Sequence, residues 1–472
     1  MSIGDILQSG LSSLNTSKAS MQTSSHNISN ANTEGYTRQR THQATRDPKY
    51  LGNHALGRGV NIDRVSRVND HYLHRQLQKT SSDLAFHSEK DGLLTQIEDV
   101  FNELGDDGIN RLMTQFFNEF RKLANDPSRQ SVRETVRESS QALVNDFHRI
   151  RKQVDDIRKQ IDARIEGYVS DLNAKARNVV DLNQKILKAE MMGAEANDLR
   201  DQRDLALTQI GEYLKVSQHL SEDGTINVEM ANVGPLVTGP IVNELEVQKA
   251  EKDEQTGRPE GALVVSFKGS HRPGVNERLS GGKIGSLIEV RDKTLSMVLE
   301  RLDDLAFGLG NAVNQVHKKG ITPTGFKGVG FFKDLGQKER ASEFIGLSDD
   351  VKKSVNNIAT AYEPNAAGDN RIAIAIAGLQ NVSVLNEGRS TFDDWYNSIV
   401  GDVGVQARRN KEALGQQSGI MSQLQNLRDR VSGVSIDEET AEILKYQQIY
   451  DASAKVIQVA DEMLKTVLSL KD

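Results

Sequence analysis

The last forty or so residues constrain this chain most. Between Val434 and Asp472, residues Ile443, Tyr446, Tyr450, Ser453, Ile457, Ala460, Leu464 and Val467 recur in alternating steps of three and four, the spacing of a heptad seam. Ser435 with Glu438 fits a capping box, and Asp437, Glu438 and Glu439 suit the positive end of a helix. Lys465 and Lys471 suit the negative end. The pattern predicts a helix with a narrow apolar stripe and no partner beside it in sequence. A narrow stripe makes no core by itself, so something else covers it. Either the helix docks on its own domain, or it awaits another chain.

The opposite end offers a partner. Leu7, Leu14, Met21 and Ile28 fall seven apart, with Ile3 and Leu11 thickening the stripe. Nine of the first thirty residues are Ser, and Asn15, Thr16, Thr23 and Asn27 add further poor helix formers. Alone, such a segment is marginal as a helix. One strong and one weak terminal segment predict mobile ends that pair and order on assembly.

Next comes Asn27-Ile28-Ser29-Asn30-Ala31-Asn32-Thr33-Glu34-Gly35-Tyr36-Thr37-Arg38. Asn30, Asn32 and Gly35 tolerate left-handed backbone, so the helix stops in a fixed turn and Tyr36 opens an extended run. An amphipathic N-terminal helix ending in this Asn27, Asn30, Asn32, Thr33, Gly35, Tyr36 turn resembles the bacterial flagellar axial proteins, the rod, hook and hook-associated subunits. Within that family, 197–204, 281–292, Gly368-Asp369-Asn370 with Ala377-Gly378-Leu379, and 432–439 are similar to the first type of hook-associated protein, the hook–filament junction subunits. The matches run from residue 3 to residue 468 in order. The central insert is short, so any outer domain is small.

Between the ends the chain reads as mainly α. Residues 37–68 hold extended pieces punctuated by Gly52, Gly57 and Gly59, and helix begins near Asp70. Leu93, Leu94, Ile97, Val100, Phe101 and Leu104 form one stripe, and Leu112, Met113, Phe116, Phe117, Phe120 and Leu123 a second, broken apart at Gly105-Asp106-Asp107-Gly108. A long helix is predicted from about Ser131 to Met192, and another from Asp198 to Gly211. Residues 214–280, with Pro235, Pro240, Pro259 and Pro273, alternate at period two and read as a small, surface-exposed β-rich insert. Helix returns over 284–317, 371–385 and 392–427, the last with Trp395 as an anchor. The expected domains are 1–60 with 431–472, a terminal helical core; 61–213 with 281–430, a helical bundle; and 214–280, the outer β domain.

No constellation for chemistry emerges. His71 and His74 lack a third ligand at matching spacing, and the alternating charges of 200–204 read as a salt-bridged helix start. Gly325, Gly328 and Gly330 lack the following Gly-Lys-Ser/Thr of a phosphate loop. The absence of Cys removes thiolate and disulfide chemistry, and no run of about 18 apolar residues is present to span a membrane. A net charge of −7 argues against general nucleic-acid binding. The expectation is therefore a structural subunit, not an enzyme, with no cofactor and no metal. No basic region leads into an apolar block, so no cleavable leader is expected at the N-terminus.

The resemblance implies that the protein packs against copies of itself in a ring or helical assembly. The N-terminal seam would be Ile3, Leu7, Leu11, Leu14, Met21 and Ile28, and the C-terminal seam Ile443, Tyr446, Tyr450, Ile457, Ala460, Leu464 and Val467. It also implies hook protein and a second hook-associated protein as neighbours, an export chaperone on the C-terminal seam, and secretion onto the flagellum. Another axial subunit (hook, rod or flagellin-like), a type III secreted translocator and a surface-displayed enzyme are the alternatives.

Overall fold

The computed structural model describes residues 3–469 apart from 52–53, 102–107, 250–262, 270–273, 365 and 367. Expectations that fall on Gly52, Leu104, 105–107, Pro259, Pro273 and Lys471 lie outside the described residues. The protein is mainly α, with twelve α-helices and ten short strands among the described residues. Contacts gather it into two compact units, on different lines from the three ranges expected above. The first comprises 1–86, 168–284 and 416–472, the second 87–167 and 285–415.

In the first unit α1 (Ile3–Ser29) leads through the Asn-rich turn to β1 (Gln39–Thr45), the hairpin β2 (Lys49–Leu51) and β3 (His54–Leu56), and β4 (Val60–Arg67). β1 pairs antiparallel with β4, from Gln39 opposite Arg67 to Thr45 opposite Val60, and the ladder lies against α1. α2 (His71–Phe101) starts where the Asp70 carboxylate accepts from the amides of Tyr72 and Leu73. α3 (Ile109–Asn125), which belongs to the second unit, follows, then α4 (Gln130–Met191) and α5 (Asn197–Tyr213). α2 and α4 contribute residues to both units.

β5 (Val216–Leu220), β6 (Ile226–Met230), β7 (Gly234–Thr238) and β8 (Ile241–Val242) make an antiparallel meander, while β9 (Leu245–Lys249) and β10 (Leu263–Phe267) pair separately. The strands do not hang free of the helices. Asn173 and Asn183, both buried on α4, each grip a strand by its main chain: Asn173 bonds the carbonyl and amide of Leu245, and Asn183 those of Ile226. A buried amide side chain that satisfies a strand's donor and acceptor together leaves no orphan on either side. Gly282, at the entry to α6 (Gly282–Glu289), has φ +60°, and a Cβ there would overlap the Tyr213 main chain. Only glycine fits that close, left-handed position.

The second unit continues α6 through a π-helical segment, Val290–Leu295, into α7 (Ser296–His317). The single helix expected over 284–317 is therefore interrupted. Arg291, 4% exposed, sits in the widened turn and pairs with Asp162 and Asp292. After α7 come short helices, α8 (Ala341–Phe344), α9 (Asp349–Lys353), a 3-10 turn at Val355–Asn357, and α10 (Arg371–Gly378), which ends in a 3-10 turn at Leu379–Asn381 short of the expected 385. α11 (Phe392–Ser432) contributes to both units, and α12 (Ile436–Ser469), in the first, completes the chain. The core centres on Phe116, Phe117, Phe120, Phe331, Phe332 and Phe392, with neighbouring ring centroids 5.0–6.1 Å apart. Trp395 donates to the Arg301 carbonyl at 3.0 Å. The glycines at 325, 328 and 330 belong to a packed loop, where a Cβ at Gly328 would overlap the His317 carbonyl.

His317 is fully buried, its Nδ1 donating to the Val329 carbonyl and its Nε2 accepting from the Ala359 amide at 2.9 Å. Burial pushes its pKa down to about 4, with Arg133 adding to the same effect. The native state thus refuses a proton that the unfolded chain takes near pH 6.5, so stability falls as pH drops from about 6.5 to 4. The loss attributable to His317 approaches about 3 kcal/mol at the acid end. Urea unfolding of the protein and of His317→Gln at several pH values should show the wild-type curve steeper over this window. Parallel curves would contradict the assignment.

Candidate assembly surface

The sequence brings its two ends together as an antiparallel pair: Gly10 lies against Ile457 and Ser453, while Arg38 meets Glu438 and Glu439. The seam differs from the apolar one expected. The buried residues of α1 are Gly10, Ser12, Thr16, Ser17, Ser20, Ser24 and Asn27. Ser13 bonds Ser453 at 2.8 Å, Ser20 bonds Thr41 at 2.9 Å, and the Ser12 hydroxyl accepts from the Val60 amide. Small side chains allow α12 and the β1–β4 ladder to approach α1 closely, and their hydroxyls find partners on the way. A Cβ at Gly10 would stand 2.8 Å from Ile457 Cγ1, so even alanine crowds this crossing. The serines that make α1 a poor isolated helix are the residues that seat it.

The apolar residues of α1 consequently lie to the side and outward. Ile3, Leu7, Leu14, Met21 and Ile28 are half-buried, and Leu11 is 53% exposed. On α12 the expected stripe divides. Ser453 and Ala460 are buried, Ile443, Tyr446, Tyr450 and Ile457 are half-covered, and Leu464 and Val467 are open. Between 443 and 460 the stripe is therefore not bare within the free chain, as α1 covers it. A second stripe, Ile449, Val456 and Met463 at seven-residue spacing with Val459 beside it, faces solvent. Such contiguous apolar exposure on paired helices marks an interaction surface.

The turn after α1 locks this pair to the rest of its unit. Asn27, 1% exposed, accepts from the Tyr36 hydroxyl at 2.7 Å and from the Gln39 amide at 2.9 Å, and donates to the Gln39 carbonyl. Asn30 bonds His26, Thr33 donates to Asn30, and Gly35 takes φ +81°. Asn32 sits in the exposed tip of the turn. The Tyr36 hydroxyl is held well above its usual pKa, by burial first and then by the fields of Asp198, Asp201 and Glu439.

Residues of α5 meet the turn from the other side. Asp201 accepts from the Thr37 amide at 2.9 Å, the Thr37 hydroxyl at 2.7 Å and Arg67 at 2.7 Å; Arg67 also reaches Asp204 at 2.9 Å. Asp198 takes Gln39 at 2.6 Å and His26 at 3.3 Å. The charges of 200–204, expected to bridge one another along a helix start, reach instead to β4, the turn and the neighbouring helix end, with Arg200 on Glu190 and Arg203 on Asn183. Across from them Glu439, 2% exposed, pairs with Arg38 at 2.5 Å, and Ser435 caps α12 through the Glu438 amide at 3.4 Å. The motifs 197–204 and 432–439 and the turn contain Asp201, Glu439 and Arg38, but their pairing with one another's elements and with Arg67 was not foreseen. The signal was there: Asp198, Asp201 and Asp204 recur every third residue and share one face of α5.

The model of the FlgK helical domain of flagellar hook-associated proteins matches residues 94–332, more than half of the chain. The chain belongs to the FlgK family of flagellar hook-associated proteins. A second model, the C-terminal segment of the flagellar basal body rod proteins FlgEFG, matches 429–470, which contains α12. Curated relatives include flagellar hook-associated protein 1 of Bacillus subtilis, 27% identical over 98% of this chain and 97% of its own. Its Escherichia coli counterpart is 26% identical over 99% of this chain and 100% of its own. The structure of the flagellar hook junction protein FlgK from Burkholderia pseudomallei shares the fold, with TM-score 0.65 at 16% identity, covering 76% of this chain and 100% of that one. This FlgK-family chain is a structural component of the flagellum, not an enzyme, and assembles with other flagellar parts. No described helix is long and apolar enough to cross a membrane.

Proposed function

We propose that this chain joins hook to filament, polymerising through its terminal helices. The observation that carries the reading is the division of labour in the α1–α12 pair. Small residues close the pair on itself, while the flanking apolar residues of α1 and the Ile449–Val456–Met463 stripe of α12 remain available to neighbours. Residues 1–60 with 431–472 would form the assembling layer, 61–213 with 281–430 the helical body, and 214–280 the outer part. Hook protein would bound the assembly on one side and a second hook-associated protein on the other. Before export a chaperone groove would take the other face of α12, the seam of Ile443, Tyr446, Tyr450, Ile457, Ala460, Leu464 and Val467, through anchors at i, i+3, i+4 and i+7 spacing.

The test is immunogold electron microscopy of purified flagella with an antibody against this chain. Label confined to the boundary between hook and filament supports the reading. Label along the hook, the rod or the filament would assign the chain to another axial position.

A further inference from the structure

The first turn of α4 buries a cation that no carboxylate neutralises among the described residues. Arg133 is 2% exposed, and its guanidinium donates only to neutral acceptors: the carbonyls of Pro127 and Ile358, and the Thr360 hydroxyl at 3.1 Å. Burial pushes its pKa down to about 10, which still leaves it charged near neutral pH. Buried charges are ordinarily paired, because leaving one unpaired is costly.

Arg133 lines a half-open cavity of about 370 Å³, walled also by Ser128, Thr322, Thr324, Thr360 and Gly325. Two carboxylates, Glu363 and Asp369, stand in the same wall, but both are engaged. Arg371 reaches Asp369 at 2.9 Å and Glu363 at 3.1 Å, and Asp369 also accepts from the amides of Tyr362 and Glu363. The Thr322 hydroxyl is held by the Phe326 carbonyl and amide, both at 3.1 Å, while the Thr324 hydroxyl, which bonds it at 2.9 Å, can turn to a ligand. The positive end of α4 adds to the field around Arg133.

We propose that this cavity binds a small ligand through a phosphate or carboxylate head, with Arg133 as its cationic floor and the Thr324 hydroxyl as a further donor. A volume of about 370 Å³ exceeds what a bare oxyanion needs, so the ligand carries a small polar body behind the head. The site lies wholly in the second unit and is independent of the terminal helices.

Titration calorimetry of the full chain with inorganic phosphate and with acetate, against chloride at matched ionic strength, tests this. Saturable binding of one probe names the head group. Arg133→Gln should weaken it tenfold or more, since hydrogen bonds to a charged group are lost. Because Arg133 also ties down Pro127 and Ile358, Thr324→Val serves as a second variant that leaves those ties intact and should weaken binding severalfold. No saturable heat from either probe with the wild-type chain overturns the proposal. So does unchanged affinity in a folded Arg133→Gln, or, if that variant fails to fold, unchanged affinity in Thr324→Val.

Discussion

Replacing Asp201 by Ala should lower the unfolding temperature of the protein by about 5–12 °C. Asp201 is 5% exposed and satisfies three donors at once: the Thr37 amide, the Thr37 hydroxyl and Arg67. Its loss leaves Arg67 buried with Asp204 alone, and leaves the Thr37 amide without its acceptor. Breaking a buried ion pair by removing one partner costs about 3–5 kcal/mol, and the remaining Asp204 contact keeps the figure near the lower end. In a domain of this size each kcal/mol moves the midpoint by about 2–4 °C. Asp201→Asn, which keeps an acceptor for Thr37 but not the charge, should fall between the two. Calorimetry on the three proteins checks the order. Equal midpoints would mean that the turn is held by Asn27 and Tyr36 without α5.

Asp201 also shows where the sequence could be read and where it could not. Elements set by local periodicity and capping were legible: the predicted 131–192 helix appears as Gln130–Met191, and the C-terminal helix begins at Ile436, just after the capping Ser435. The turn from Asn27 to Tyr36 was legible because Gly35 and the asparagines demand it. What was hidden depends on distant partners. Asn27, Asn173, Asn183 and Asn314 each bond both main-chain groups of one residue elsewhere, at Gln39, Leu245, Ile226 and Phe332. By composition an asparagine inside a helix reads only as a weak helix former; its use as a strand clamp appears when the strand is placed. The α1 seam was hidden for a related reason. Hydrophobic spacing points to Leu7, Leu14, Met21 and Ile28, whereas close packing selects the serines between them. The π segment at Val290–Leu295 has no periodic signature of its own, being Val-Arg-Asp-Lys-Thr-Leu with apolar residues only at its ends.

The second large effect is on assembly. Val456 and Met463 lie one heptad apart on the open stripe of α12, 44% and 48% exposed, so neither fills the intrachain seam. Changing both to Asp leaves the free chain's contacts nearly untouched, and its melting temperature should move by no more than about 2–4 °C. In the assembled structure the same two charges must leave water at each subunit interface, costing several kcal/mol per subunit. Ile457→Asp is the contrasting change: Ile457 packs on Gly10, so that variant should weaken the α1–α12 pair itself and lower the midpoint.

The decisive measurement is electron microscopy of flagella from cells whose only copy is the Val456→Asp, Met463→Asp variant, with its secreted amount and melting curve determined alongside. The account predicts a variant that is secreted, melts like the wild type and leaves hooks without filaments. Normal filaments seated on hooks that contain the variant would show that the open stripe of α12 is not the surface through which the subunits pack.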